Sequence, residues 1–337
     1  MTVSPNRAPS MADVAAVAGV SHQTVSRVLN DHPNVRERTR LRVRAAVEEL
    51  GYRPNLAART LARGHGNLIG VVAQTSTQYG PVAMRTSIEE SAAEMGFGVS
   101  VETVRTLDHA SLVEAVHRNL DHGVRGMVIV APVPALLGAL DAVPLGFPLV
   151  QIDGAGSQEV PSAGVDQLKG ATLATQYLLD SGHKTVWHVS GPEQSFNGRD
   201  RKAAWQATLE RARVEVPPAF TGDWTAESGY EAAMMLARIA GVTAVFAGND
   251  QMALGLISGL KRHRILVPRD VSVVGFDDLP EAAYYEPPLT TIRQDFLEVA
   301  RRGLASLVAQ MDGTEVPFPD LVEPELVIRK SVSAPRR

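Results

Sequence analysis

The 337-residue chain contains no cysteine. That excludes disulfides, thiolate zinc sites and a cysteine nucleophile, and it fits a reducing compartment. Long hydrophobic runs are also missing. The longest, such as GMVIVAP at 126–132, are strand-length rather than membrane-length, so no membrane association is expected. MTVSPNRAPS at the N-terminus has no apolar segment of the secretory type, which points to the cytoplasm. Catalytic signatures are absent too. There is no P-loop, no HExxH and no G-x-S-x-G pattern. GHGNLIG (64–70) has fingerprint-like glycines, but it precedes its strand, whereas a dinucleotide-binding turn must follow one. The nine histidines are scattered, and His183 and His188, flanking a strand start, read as core or surface residues. The expectation is a non-enzyme with no catalytic residue, no metal and no cofactor.

Lysine is absent from the first 63 residues, which hold ten arginines and five acids, a surplus of five positive charges. The remaining 274 residues hold 23 basic and 32 acidic groups, a surplus of nine negative charges. A basic head on an acidic body is a common layout for a nucleic-acid-binding domain joined to something else. MADVAAVAG (11–19) reads as a short helix, with Met11, Val14 and Val17 recurring on one side and Asp13 in the first turn. Gly19 supplies the left-handed residue of a sharp turn, and Ser21 offers a cap for a second helix over 22–29. In SHQTVSRVLN (21–30), Val25, Val28 and Leu29 form the apolar side of an otherwise polar helix. Two such helices joined by Gly-Val-Ser are a helix-turn-helix candidate. A third helix is expected over 37–50, closed by Gly51. Beyond Pro54, LAARTLA is too short to be a stable helix alone and reads as a linker that becomes helical when held.

From Leu68 onward, strand-length apolar runs alternate with helical stretches. Strands that are apolar on both faces, separated by helices, argue for parallel sheets covered on both sides. About 265 residues exceed one compact sheet, so two lobes with a cleft between them are expected. Helices are expected at 82–95, 109–121, 134–141, 167–180, 199–211, 226–239, 251–261 and 296–310.

Several strands end in polar residues: Gln74, Asp153, the pair Asn249-Asp250 and the pair Asp277-Asp278. Ligands of open α/β sheets bind beyond the carboxyl ends of the strands. Arg201 and Trp224 follow two further strands. Carboxylates, an amide and a guanidinium can clasp vicinal hydroxyls, while Trp224 and Phe296 offer flat faces to the C–H side of a sugar ring. A polyol suits that set better than an apolar ligand or a phosphate. The competing reading is that strand-end Asp and Asn residues cap the following helices. Adjacent residues of a strand point in opposite directions, so Asp277 and Asp278 are not expected to act on one atom.

The sequence resembles the lactose repressor (LacI/GalR) family of bacterial transcription regulators from about Met11 to Arg329. The resemblance is carried by DVAAVAGVSHQTVSRVLN, VRERTRLRVRAAVEELGYRPN, GDWTAESGY, GNDQMALG, VSVVGFDD and PPLTTIRQDF. It implies an all-α helix-turn-helix headpiece and an α/β two-lobed core of the periplasmic-binding-protein type, made of two doubly wound parallel sheets. The implied domains are a headpiece at 1–52, a hinge at 53–66, one lobe at 67–164 plus 294–325, and the other at 165–293 plus 326–337. By position, His22, Gln23 and Arg27 match residues that face bases in the major groove. Thr24, Ser26 and Asn30 match backbone-contacting or helix-ending positions, and Ser21, the cap of the second helix, is counted with the DNA-binding set. Asn55, Ala58 and Leu61 match a hinge helix whose leucine wedges into the minor groove. Asp153, Arg201, Trp224, Asn249, Asp277, Gln294 and Phe296 match effector-pocket positions, and Gln74 joins them as an effector candidate from its place at a strand end. The implied function is repression of a sugar-utilisation operon. The implied partners are a pseudo-palindromic double-stranded DNA operator, a second copy of the chain and a small, galactoside-like sugar that releases the operator. A sugar-binding protein without a regulatory role, or a co-repressed regulator with another effector, is the alternative. No heptad repeat follows the core, so a dimer is expected rather than a larger assembly.

Overall fold

The structure, a computed structural model, describes residues 9–29, 34–52, 67–106, 108–130, 142–153, 160–314 and 319–336. The chain divides into two compact units, Met1–Gly66 and Asn67–Arg337. Asn30, Asn55, Ala58, Leu61 and the helix expected at 134–141 lie outside the described residues.

The first unit holds α1 (Met11–Ala18), α2 (His22–Leu29) and α3 (Glu37–Leu50). Ser10 caps α1 reciprocally: its backbone N–H donates to Asp13 Oδ2 at 2.7 Å, and its hydroxyl accepts from the Asp13 N–H at 3.4 Å. Gly19 ends the helix at φ 61°. Arg42 of α3 donates to the carbonyls of Ala18 and Gly19, and a Cβ on Gly19 would lie 2.8 Å from its guanidinium. An arginine that adds to the headpiece charge therefore also ties α3 to the turn. Val14, Ala18, Val25, Val28, Val43, Ala46 and Tyr52 form the core. Arg36 precedes α3 without a side-chain capping bond, leaving Glu37 as the acidic residue of its first turn.

The second unit contains two parallel sheets. The first has the order β2-β1-β3-β4-β5, from β1 (Leu68–Gln74), β2 (Gly98–Val104), β3 (Gly126–Val130), β4 (Leu149–Ile152) and β5 (Ser162–Ala163). On one face, α4 (Tyr79–Glu94) and α10 (Phe296–Met311) pack through Met84, Ile88, Val299, Leu304 and Leu307. On the other, α5 (His109–Asp121) packs through Leu112, Ala115 and Val116. Helix α4 begins before the expected 82, because Pro81 sits in its first turn, where a missing N–H costs no hydrogen bond.

The second sheet has the order β7-β6-β8-β9, from β6 (Trp187–Ser190), β7 (Phe220–Thr221), β8 (Ala244–Ala247) and β9 (Ser272–Val274). Helices α8 (Ala226–Leu236) and α9 (Asp250–Arg262) cover one face; α6 (Gln167–Asp180) and α7 (Phe196–Ala212) cover the other. Helix α7 starts ahead of the expected 199 because Ser195 caps it, accepting from the Gly198 N–H at 3.3 Å. An antiparallel pair, β10 (Thr291–Arg293) with β11 (Glu325–Val327), was not expected. Strands of two or three residues are too short to show a period in the sequence. No helix among the described residues is long and apolar enough to cross a membrane.

Candidate functional site: a recognition helix and a polar cleft

Helix α2 sorts its residues by burial. Val25 and Val28 face the headpiece core, whereas His22, Gln23 and Arg27 are exposed. Gln23 and Arg27, four residues apart, share one side of the helix. Ser21 and Thr24 are occupied in building its start. The Thr24 N–H donates to Ser21 Oγ at 3.2 Å, and the two hydroxyls lie 2.9 Å apart. Ser26 is half-buried.

The second site lies beyond the carboxyl ends of both sheets. A cavity of about 460 Å³ is lined there by all eight effector candidates: Gln74, Asp153, Arg201, Trp224, Asn249, Asp277, Gln294 and Phe296. Each sheet contributes from loops after its strands, the arrangement that open α/β folds use to hold ligands. Helix α7 delivers Arg201, which is 3% exposed. Its guanidinium lies 3.6 Å from the Phe276 ring centre and 3.6 Å from Asp277 Oδ1. Its Nε donates to Gln167 Oε1 at 2.8 Å, and its Nη1 donates to the Gly248 carbonyl. Gln167 in turn donates to Gln294 Oε1 at 2.8 Å, and Gln294 donates to Asp277 Oδ1 at 2.7 Å. The expected fork is therefore largely spent inside the protein, and Nη2 is the nitrogen left to meet a ligand.

Asp153 behaves differently. No side-chain hydrogen bond to it is found among the described residues, so its acceptor capacity faces the cavity. Burial pushes its carboxyl up to about 6 against the pull of Arg201, and the Asp277 charge adds to the rise. Burial also raises Asp277 to about 6, opposed by Arg201 and the Gln294 hydrogen bond. Asp153, Trp224 and Asp277 all adopt positive φ, 57°, 73° and 108°, which side-chain-bearing residues rarely do. The Trp224 indole packs against Gly191, where a Cβ would come within 2.1 Å of the ring. Phe296 meets Tyr79 edge-on at 6.0 Å.

The capping alternative holds for one residue of the set. Asn249 caps α9, accepting from the Met252 N–H at 2.8 Å, and its amide donates to the Trp224 carbonyl at 3.0 Å. Its contribution to the cleft is to fix the tryptophan. The neighbouring acids are structural. Asp250 accepts from the Leu279 N–H at 2.9 Å and from Thr291 Oγ1, and burial raises its carboxyl well above the usual range. Asp278 pairs with Arg293 at 2.7 Å and Arg329 at 2.6 Å, away from the partners of Asp277; both residues lie beyond the end of β9 at positive φ, so the turn backbone rather than strand alternation separates them. His183 and His188 are buried, and His188, stacked 4.6 Å from Phe246, is pushed down to about 3 by burial.

Sequence reasoning missed Gln167 and Gln78. Gln167 starts α6 after the two-residue β5, so no visible strand end announced it. Gln78, at the start of α4, donates to the Asp223 carbonyl at 3.1 Å and so joins the two sides of the cleft mouth. Its signal was the polar run TSTQ (75–78) directly after β1. Among the described residues no cluster of His, Asp or Glu is placed to hold a metal ion.

The profile of bacterial regulatory proteins of the lacI family matches residues 10–55, and that of the periplasmic binding protein-like domain matches residues 175–332. The Lactose operon repressor of Escherichia coli (strain K12) is 34% identical over 325 residues, covering 96% of this chain and 90% of that one. The chain belongs to the LacI family. It is a DNA-binding transcriptional regulator with a periplasmic-binding-protein-like core. The crystal structure of the lac repressor dimer bound to operator and the anti-inducer ONPF superposes with a TM-score of 0.87 at 33% identity, covering 97% of this chain and 100% of that one. The transcriptional regulator CelR in complex with cellobiose gives a TM-score of 0.71 at 29% identity, covering 96% and 99%.

Proposed function

We propose that this LacI-family chain is a cytoplasmic repressor of a sugar-utilisation operon, released from its operator by a small neutral sugar of galactoside type. In this reading residues 1–52 bind DNA and 53–66 form the hinge. Residues 67–164 with 294–325, and 165–293 with 326–337, form the effector-binding lobes. A homodimer places two copies of α2 in successive major grooves of a pseudo-palindromic operator. His22, Gln23 and Arg27 read bases there. Ser21, Thr24, Ser26 and Asn30 set the helix and the backbone contacts, and Asn55, Ala58 and Leu61 engage the minor groove. The effector releases DNA because it binds the DNA-incompetent arrangement of the lobes more tightly.

One observation carries the effector class. Two carboxylates, Asp277 buried and Asp153 half-buried, line the cleft against a single arginine whose Nε and Nη1 are already engaged. A phosphate or carboxylate ligand would meet a surplus of negative charge. A polyol supplies hydroxyl donors to Asp153 and Asp277 and takes one donor from Arg201. The identity of the lac repressor and CelR among the relatives fits sugar ligands of more than one kind. Calorimetry with galactosides, glucosides, purines and phosphorylated sugars tests the reading, paired with operator selection and gel shifts with and without ligand. Heat from a neutral sugar that also releases the operator is expected. Binding of only a purine or a phosphosugar, or no sequence-specific DNA binding at moderate salt, overturns it. The DNA complex should weaken steeply with salt, because arginine–phosphate contacts release counterions.

A further inference from the structure

The chain passes between the two sheets of the core three times. It leaves the first sheet after β5 and enters α6 at Gln167. It returns from β10 to α10 through Gln294 and Asp295, and it crosses back near Val322 before β11. Backbone bonds join the first passage to the third. The Val322 N–H donates to the Gly164 carbonyl at 2.8 Å, and the Asp166 N–H donates to the Val322 carbonyl at 2.9 Å. The pairing of β10 with β11 joins the second passage to the third. Side chains join the first to the second: Gln167 Nε2 donates to Gln294 Oε1 at 2.8 Å.

That bond is one link of a closed circuit. Gln167 Oε1 accepts from Arg201 Nε, Gln294 Nε2 donates to Asp277 Oδ1, and Asp277 Oδ1 lies 3.6 Å from Arg201 Nη1. All four residues are at most 8% exposed, so water does not replace a link that opens. Each amide is used at both ends, as donor on one side and acceptor on the other. Neither glutamine can turn over without setting donor against donor and acceptor against acceptor. Gln167 itself is not among the residues that line the cavity.

A ligand shifts the balance between two arrangements only by binding one of them more tightly. The site must therefore change when the passages move relative to each other. The backbone of Gln167 belongs to the first passage, its amide N–H reaches the second, and its Oε1 holds the guanidinium that meets the cleft. Movement of one passage against the other opens the bond to Gln294 and releases the anchor of Arg201. We infer that Gln167 is a positioning residue through which the effector senses the arrangement of the two sheets. It makes the grip of Arg201 on a ligand depend on whether the first and second passages are joined. This rests on the effector reading above and adds the residue that turns binding into release.

The test compares Gln167→Met and Gln167→Glu with the unaltered full chain. Galactose, isopropyl β-galactoside, lactose and cellobiose are the probes, with an operator selected from a randomised library. Calorimetry gives sugar affinity, and gel shifts give operator affinity without sugar and at saturating sugar. The ratio of the two operator affinities is the coupling factor. Gln167→Met removes both bonds of the amide, whereas Gln167→Glu keeps an acceptor for Arg201 and loses the donor to Gln294. Sugar should still give heat, more weakly in Gln167→Met. Operator affinity without sugar should stay within about threefold, while the coupling factor falls about fivefold or more in both variants, the worth of one hydrogen bond. A coupling factor unchanged in Gln167→Glu overturns the inference and leaves the sugar reading intact. So does a melting temperature that falls together with both affinities at a constant coupling factor, the mark of a merely structural residue. An unaltered chain whose operator complex is released by none of the four sugars overturns both.

Discussion

In the headpiece, His22, Gln23 and Arg27 stand in solvent on a helix whose opposite side is packed. In the cleft, Arg201, Gln167, Gln294 and Asp277 are buried and joined in series by hydrogen bonds. The first surface is organised by a backbone element, and its side chains give up only water when a ligand arrives. The second is organised by the side chains themselves, so each one positions the next. Substitutions should therefore be additive and modest on α2, but large and coupled in the cleft.

Arg201→Ala is the strongest test of that contrast. It leaves Asp277 buried without its cation and Gln167 without its donor. Breaking a buried pair costs about 3–5 kcal/mol, so sugar affinity should fall by more than about 100-fold and the core should melt earlier. Operator binding should persist at temperatures where the core is folded. Calorimetry and gel shifts on one preparation check this. A protein that still responds normally to sugar would show that the cleft network is not the effector site.

Gly191→Ala comes next. The added methyl occupies the space of the Trp224 ring, which must leave its seat against the backbone. Sugar affinity should fall about tenfold or more, because the aromatic platform is worth about 1–3 kcal/mol when well placed. The tryptophan fluorescence should shift in the unliganded protein. A variant with altered fluorescence and normal affinity would detach Trp224 from recognition.

A change of pH perturbs the cleft without a mutation. Asp153 and Asp277 rise to about 6 in the folded chain, above the ordinary carboxylate value of 3.8. Holding them ionised therefore costs stability in full above about pH 6, and that cost disappears as pH falls toward 4. Ligand binding runs the other way. The ionised carboxylates accept hydroxyl hydrogen bonds, so sugar affinity should decline by about tenfold between pH 7 and 5 and be flat above 7. Binding near pH 6 should release protons, measurable by calorimetry in buffers of different ionisation enthalpy. Proton uptake would contradict the acceptor role.

The two regions also differ in how far their sequence discloses them. The helix-turn-helix is local: Ser10, Gly19, Ser21 and the valines of α2 each state their role within a few residues. The floor of the cleft was legible through a topological rule, because strand ends converge wherever parallel sheets form. What stayed hidden was pairing across distance. Nothing near Gln167 indicates that it meets Arg201 and Gln294, 34 and 127 residues away. Nothing in the sequence separates Asp277, which faces the cleft, from Asp278, which meets Arg293 and Arg329. Arg42 likewise counts toward the basic charge of the headpiece, while its hydrogen bonds to Ala18 and Gly19 are fold chemistry.

The smallest effect is expected at His22, and it sharpens the comparison most. The side chain is exposed, at the front of α2, and outside the headpiece core. His22→Tyr should leave the melting temperature and the sugar affinity unchanged, since no buried contact is lost. Its consequence should appear only in which operator is selected. Each well-made base contact discriminates by about 1–3 kcal/mol, so the preferred base at one position of each half-site should change while total affinity for the best site moves little. Selection from a randomised operator library, run side by side for the two proteins, reads this directly. Identical selected sites would remove His22 from base reading and leave Gln23 and Arg27 to carry it. A substitution at Gln167 behaves in the opposite way: it touches neither DNA nor solvent, yet it should alter Arg201, Gln294 and Asp277 together.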